Sequence, residues 1–170
     1  MTTSTNPSKD QVRIAQTEIE VTIDAPIQAV WQGLTEDIAA WWPSAFYCHA
    51  GDPAAVPVRK FKLEARPGGR MWEDWGNDNG MVWANVVQVA QPRLLDITGT
   101  MGMAWGGPST MYASFQLEAT DTGTKLRFSE AAYGRIPDSQ GEEQEKGWRF
   151  LLGEALRAHC EGKPAPEWKD

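Results

Sequence analysis

The sequence predicts an α+β domain of the helix-grip kind: a curved antiparallel seven-stranded sheet, two short helices, and a long C-terminal helix over a cavity. Three observations lead there. Alternating apolar runs between turn clusters occur once near the N-terminus and six times between residues 58 and 132. The segment Gly141 to Cys160 carries a single apolar stripe at helical spacing. A sheet with one apolar face must be covered, and only that segment is long enough to cover it. One helix over a strongly curved sheet leaves a space between the two.

In chain order, Thr17 to Ile23 alternates with Ile19, Val21 and Ile23 on one side, as a half-buried strand does. Asp24 is placed as an N-cap, with Pro26 in the first turn. Ile27, Val30, Trp31 and Leu34 then mark one face of a short helix, and Trp31 is read as core. Thr35 is placed to cap a second short helix through Ile38, Trp41 and Trp42, stopped by Pro43. After a loop to Pro57 come strands at Val58–Arg66, Arg70–Trp75, Met81–Ala90, Leu94–Thr100, Thr110–Ala119 and Lys125–Ala132. Their turns are Pro67-Gly68-Gly69, residues 76–80, Gln91-Pro92, a Gly/Met-rich loop, and Asp121-Thr122-Gly123. In the last helix Trp148, Leu151, Leu152, Ala155, Leu156 and His159 form the stripe, opposite a charged face.

The chain has 170 residues, the size of one domain, with 41% hydrophobic and 23% charged residues. Residues 1–13 read as a flexible arm, 14–161 as the domain and 162–170 as a flexible tail. A net charge of −7 without a basic patch argues against nucleic acid. No apolar run is long enough to span a membrane, and the N-terminal residues carry no secretory pattern. Two cysteines, Cys48 and Cys160, show neither a disulfide framework nor metal spacing, so the expectation is a cytoplasmic protein with free thiols. The unusual feature is the nine tryptophans.

Five stretches in this order resemble a known family: IEVTIDAPIQAVWQGLTE at 19–36, WWP at 41–43, RPGGR at 66–70, QPRLLDITG at 91–99 and EKGWRFLLGEAL at 145–156. Together they resemble the START/birch-pollen-allergen-like (SRPBCC) superfamily, and within it the activator of Hsp90 ATPase homologue-like family. The likeness covers roughly residues 17–160. It implies the helix-grip fold, and through the family's co-chaperone relatives a chaperone-interacting, stress-linked role.

Strand parity nominates the polar groups that face the interior. Leu126 and Phe128 face the core, so Glu130 does too. In Arg70–Trp75 either Met71, Glu73 and Trp75 face inward or Trp72 and Asp74 do; the resemblance favours Glu73. Two carboxylates under a tryptophan roof would suit general acid–base work or capture of an amine. Otherwise they are strand-end glutamates paired with Arg70, Arg93 or Arg149. Trp41, Trp42, Trp83, Trp105, Phe128, Trp148 and Leu152 could line a pocket for a flat or lipidic ligand, or simply fill the core. Trp105 lies in an apolar, Gly-flanked loop at 101–107, a lid or a docking patch for another subunit.

Other signals are weaker. His49 and His159 advertise no catalytic triad, and His49 with Cys48 and Asp52 lacks further metal ligands. The acidic turn DWGNDNG puts Trp75 and Val86 where a calcium loop needs carboxylates, so it is a hairpin turn. Gly68-Gly69 leads into a strand rather than a helix and cradles no phosphate. The first reading is therefore binding of a small hydrophobic or aromatic ligand in the cavity, with no cofactor and no metal. The alternatives are a cyclase, hydrolase or lyase using Glu73 and Glu130 on a hydrophobic substrate, and a chaperone-interacting module. A monomer and a homodimer are both compatible with the sequence.

Overall fold

A computed structural model describes residues 12–48, 56–102 and 107–169. Strand β1 (Arg13–Ile23) leads into helix α1 (Ile27–Thr35), the single turn α2 (Ile38–Trp41) and a 3-10 turn at Ser44–Phe46. Six strands follow: β2 (Lys60–Leu63), β3 (Arg70–Gly76), β4 (Asn79–Ala90), β5 (Leu94–Met101), β6 (Ser109–Ala119) and β7 (Thr124–Gly134). Helix α3 (Gln140–Phe150) runs on through a π-helical segment, Leu151–Leu156, into a last turn α4 (Arg157–Cys160). The architecture is the α+β helix grip that the sequence predicts.

All seven strands form one antiparallel sheet in the order β1-β7-β6-β5-β4-β3-β2. Hairpins join β2 through β7 in sequence, and the chain's first strand returns to pair with its last. Alternation in β1 buries Ala15, Thr17, Ile19, Val21 and Ile23 and leaves the residues between them to solvent or to partial cover. The β3–β4 hairpin closes on Asn77 and Asp78, both with positive φ (53° and 61°), the geometry of a two-residue turn whose twist matches the strands.

Curvature comes from β4. Its register slips against β3 between the pairs Met71–Ala84 and Trp72–Val82 and against β5 between Val86–Ile97 and Gln88–Asp96, while a further shift, between Asp74 and Gly76, lies on the β3 side near the hairpin. Each slip inserts a residue and bends the strand. The first turns both Trp83 and Ala84 toward the interior, which simple alternation cannot do. Gly99 of β5 accepts this crowding: a Cβ there would lie 2.1 Å from the Trp83 carbonyl oxygen.

The concave face is covered by α1, α2 and the C-terminal helix. Ile27, Val30, Trp31 and Leu34 of α1 are buried, as are Leu151, Leu152, Ala155 and Leu156 of the π segment. Burying each such side chain contributes about 1.5–3 kcal/mol before the entropy of ordering it.

Several local expectations change. Pro26, not Asp24, occupies the N-cap position of α1, with Val30 N–H donating to its carbonyl. The Asp24 N–H is instead taken by the carboxylate of Glu161, at 3.0 Å. Thr35 ends α1 rather than capping α2; its buried hydroxyl donates to the Trp31 carbonyl, a local bond that competes with capping. The second strand is only Lys60–Leu63, because the chain turns early toward the Pro67-Gly68-Gly69 corner, where Gly68 N–H donates to Val86. The chain from 163 to 169 has no regular secondary structure, yet Trp168 packs on Phe46 and Phe150, with ring centroids 4.9 Å apart in each case.

Candidate functional site

The space between sheet and helix is lined by Leu34, Ile38, Trp41, Trp42, Phe115, Trp148 and Leu152, with Leu63, Met71 and Ile97 on the sheet side. The ligand-sized cavity expected here is, in this conformation, a slot of about 10 Å³. That is room for no more than roughly one water. Tryptophans occupy the volume: Trp42 touches Trp41, Phe61 and Trp148 at centroid distances of 5.6, 5.0 and 6.2 Å. Trp148 in turn lies 4.4 Å from Phe128 and 5.9 Å from Phe115. Trp41 anchors its indole N–H on the Gly33 carbonyl. The Trp42 N–H, by contrast, is buried with no hydrogen-bond partner among the described residues. A buried donor left unmade costs on the order of 1–3 kcal/mol.

At one end of the sheet stands Glu73, fully buried at 0% exposure. It faces inward with Met71. Its Oε1 accepts from the Cys48 N–H and the Trp83 indole, both at 2.8 Å, and its Oε2 from the Trp75 indole at 2.9 Å. The arginines considered from the sequence are not its hydrogen-bond partners. These bonds pin the segment after Pro43 to β3 and β4. The Tyr47 hydroxyl beside it is pushed up by burial and by the charge of Glu73. A carboxyl already holding three donors is built as a clamp more than as a reactive group.

Glu130 stands elsewhere. Four strand spacings separate β7 from β3 in the sheet order, roughly 19 Å along the sheet. The two glutamates therefore belong to different strands of the concave face, with β6, β5 and β4 between them. Glu130 is 8% exposed, and its Oε2 receives the Trp148 indole N–H at a short 2.5 Å. Burial holds its carboxyl above the ordinary range, opposed by the Gln144 amide and the Trp148 N–H, which favour the ionised form. The Gln144 amide lies one helical turn before Trp148, with both polar atoms buried and neither in a well-formed hydrogen bond. Thr17 is the cross-strand partner of Glu130, 2% exposed, and its hydroxyl also lacks a hydrogen-bond partner among the described residues.

The structure thus brings Trp41, Trp42, Trp148 and Leu152 around one slot, with Phe128 behind Trp148 and Glu130 on its far side. Trp83 belongs to the Glu73 clamp. Trp105, His49 and Asp52 lie outside the described residues, as does the centre of the 101–107 loop. Sequence reasoning missed Thr17 and Gln144. Both were within reach: Thr17 continues the inward series of Ile19, Val21 and Ile23, and Gln144 stands four residues before Trp148.

Among the described residues no group of three His, Cys, Asp or Glu side chains is placed to hold a metal. Burial and the nearby charges of Glu161 and Asp37 push the Cys160 thiol up to about 11, which keeps it protonated and unreactive at neutral pH. No described helix is long and apolar enough to cross a membrane. A broader hollow of about 650 Å³ lies outside the slot, between the outer face of α3 and the chain at 167–169, and its walls are largely charged.

With this geometry in place, comparison with known proteins adds the family. The family model described as Activator of Hsp90 ATPase homolog 1-like protein matches residues 24–161. The chain belongs to this family. The match begins just after β1 and ends at Glu161, so it spans the slot, the Glu73 clamp and Glu130. Solved structures share the fold. A protein of Rhizobium leguminosarum is 20% identical with a TM-score of 0.64, over 90% of this chain and 98% of that one. CalU16 from Micromonospora echinospora is 19% identical with a TM-score of 0.58, over 94% and 88%. DynU16, of the dynemicin biosynthetic locus, is 20% identical with a TM-score of 0.62, over 91% of this chain and 51% of that one. No curated protein matches the chain in a sequence search.

Proposed function

We propose that this member of the family binds a small hydrophobic or aromatic molecule between the sheet and the C-terminal helix. The observation that carries the reading is the indole N–H of Trp42, a residue of the apolar slot, buried and without an acceptor among the described residues. A core built only for stability would give that donor a partner or use phenylalanine there. A flat ligand bearing a carbonyl or ether oxygen supplies the acceptor and stacks against Trp148.

Entry requires the slot to widen. The elements bounding it are suited to that: α2 is one turn long, and Leu152 belongs to a π-helical segment, a rare geometry that recurs at functional positions. Native mass spectrometry of the protein purified from its host, followed by tryptophan-fluorescence titration with aromatic ketones, tests the reading. We expect a saturable one-to-one response, weakened about five- to tenfold in Trp42→Phe, as loss of one buried hydrogen bond predicts. Protein that carries no ligand and whose fluorescence ignores aromatic and lipid compounds alike would overturn it.

A further inference from the structure

We infer that Thr17, Glu130 and Gln144 form the head-group end of this site and select a protonated amine joined to an apolar body. The inference rests on the ligand-binding reading above and specifies its substrate class.

Trp148 connects the two regions. Its ring lines the slot and its N–H is bound to Glu130, so it is the wall between an apolar compartment and a polar one. On the polar side the hydrogen-bonding capacity is incomplete. Glu130 uses Oε2 for the Trp148 N–H, and the Gln144 amide is the other neutral group acting on its carboxyl. The Thr17 hydroxyl and the Gln144 amide oxygen are buried acceptors without a hydrogen-bond partner among the described residues. Register places Thr17 and Glu130 side by side on the concave face, and Gln144 descends on them from α3.

Interiors rarely leave two neighbouring polar side chains unsatisfied beside a buried carboxyl, because each costs free energy unless something completes it. What completes this set is decided by charge. Among the described residues no cationic side chain forms an ion pair with Glu130; burial raises its carboxyl, and the neutral Gln144 and Trp148 N–H groups lower it. A buried carboxylate without a counter-ion favours a cation, and an ammonium group offers three donors to three acceptors. A guanidinium demands a planar fork that Thr17 and Gln144 do not present. A second carboxylate would meet repulsion from Glu130. The residual exposure of Glu130 leaves the group reachable from solvent, whereas Glu73, with no exposure and three donors, offers an amine nothing.

Matched amine and alcohol pairs test this at pH 7: 2-phenylethylamine with 2-phenylethanol, 2-(1-naphthyl)ethylamine with its alcohol, and decylamine with decanol. Calorimetric titration of the full chain should show at least one amine binding about tenfold tighter than its alcohol, the gain of a charge-assisted hydrogen bond. Glu130→Gln, which keeps the acceptor for Trp148 and removes the charge, should erase the preference while alcohol binding persists. Thr17→Val should weaken the amine about threefold, the loss of one acceptor. Melting curves confirm that both variants fold. Equal affinity for amine and alcohol in the unmodified protein, or a preference that survives Glu130→Gln, overturns the inference and leaves the ligand-binding reading intact. Failure of all six compounds to bind counts against both.

Discussion

Glu161 and Glu130 are both covered carboxylates, and their surroundings give them opposite signs in the stability of the protein. Glu161 sits where the C-terminal helix meets the entry to α1. Its side chain is only 4% exposed. The Asp24 N–H is the strongest influence on it, joined by Lys163 and Arg157, and together they bring its carboxyl down to about 2. A lowered carboxyl contributes stability above the ordinary value of 4.5 and loses it as pH falls through about 2. Glu130 is raised by burial, so its contribution is complete below 4.5 and is lost as pH rises through its raised value. Urea melts should therefore show Glu161→Gln less stable than the parent by about 1–2 kcal/mol at pH 7, with the gap closing toward pH 2. Glu130→Gln should be more stable than the parent at pH 7 and equal to it near pH 3. Parallel pH profiles for the two variants would contradict this assignment. Inward parity was readable for Glu130 from Leu126 and Phe128. The partners of Glu161 were not readable, because Asp24 is far away in sequence and was expected to cap a helix.

At the scale of elements, alternation and turn residues located every strand, and helical spacing located the C-terminal helix from Gly141 to Cys160. What they could not show was the slip of β4. Both β3 and β4 read as ordinary alternating runs, yet the extra residue at the Trp83 bulge curves the sheet and turns that indole toward Glu73. The one trace in the sequence is Gly99, a glycine in mid-strand that marks a close backbone approach. A methyl group there cannot be accommodated by side-chain movement, since the Trp83 carbonyl is backbone. Gly99→Ala should cost about 1–3 kcal/mol by overpacking. It should also change the tryptophan near-ultraviolet dichroism as Trp83 shifts from Glu73. A variant as stable as the parent, with the same spectrum, would mean the bulge is soft.

For the whole molecule, the grip depends on what keeps the C-terminal helix closed over the sheet, and the tail takes part in that. Trp168 inserts its ring edge-on against Phe46 and Phe150, which themselves stack 5.9 Å apart at an angle of 7°. Lys146 lies 4.9 Å above the same indole. The cluster joins three parts distant in sequence: the turn after Pro43, helix α3 and the chain end. It explains why Phe150 is buried although it falls outside the apolar stripe of the helix. No local pattern could announce it, since a lone tryptophan among Lys, Pro and Glu reads as a loose tail. Phe46 also touches Trp42, so the clip reaches the slot wall. Removing the ring by Trp168→Ala should lower stability by about 1–3 kcal/mol, the scale for losing a partly buried aromatic with its ring contacts. Because Phe46 would lose its outer support, amide exchange should rise in residues 42–48 while β5 and β6 remain protected, a local opening and not a global one. If exchange rose equally in the central strands, Trp168 would be contributing to global stability alone, and the clip would have no particular hold on the slot.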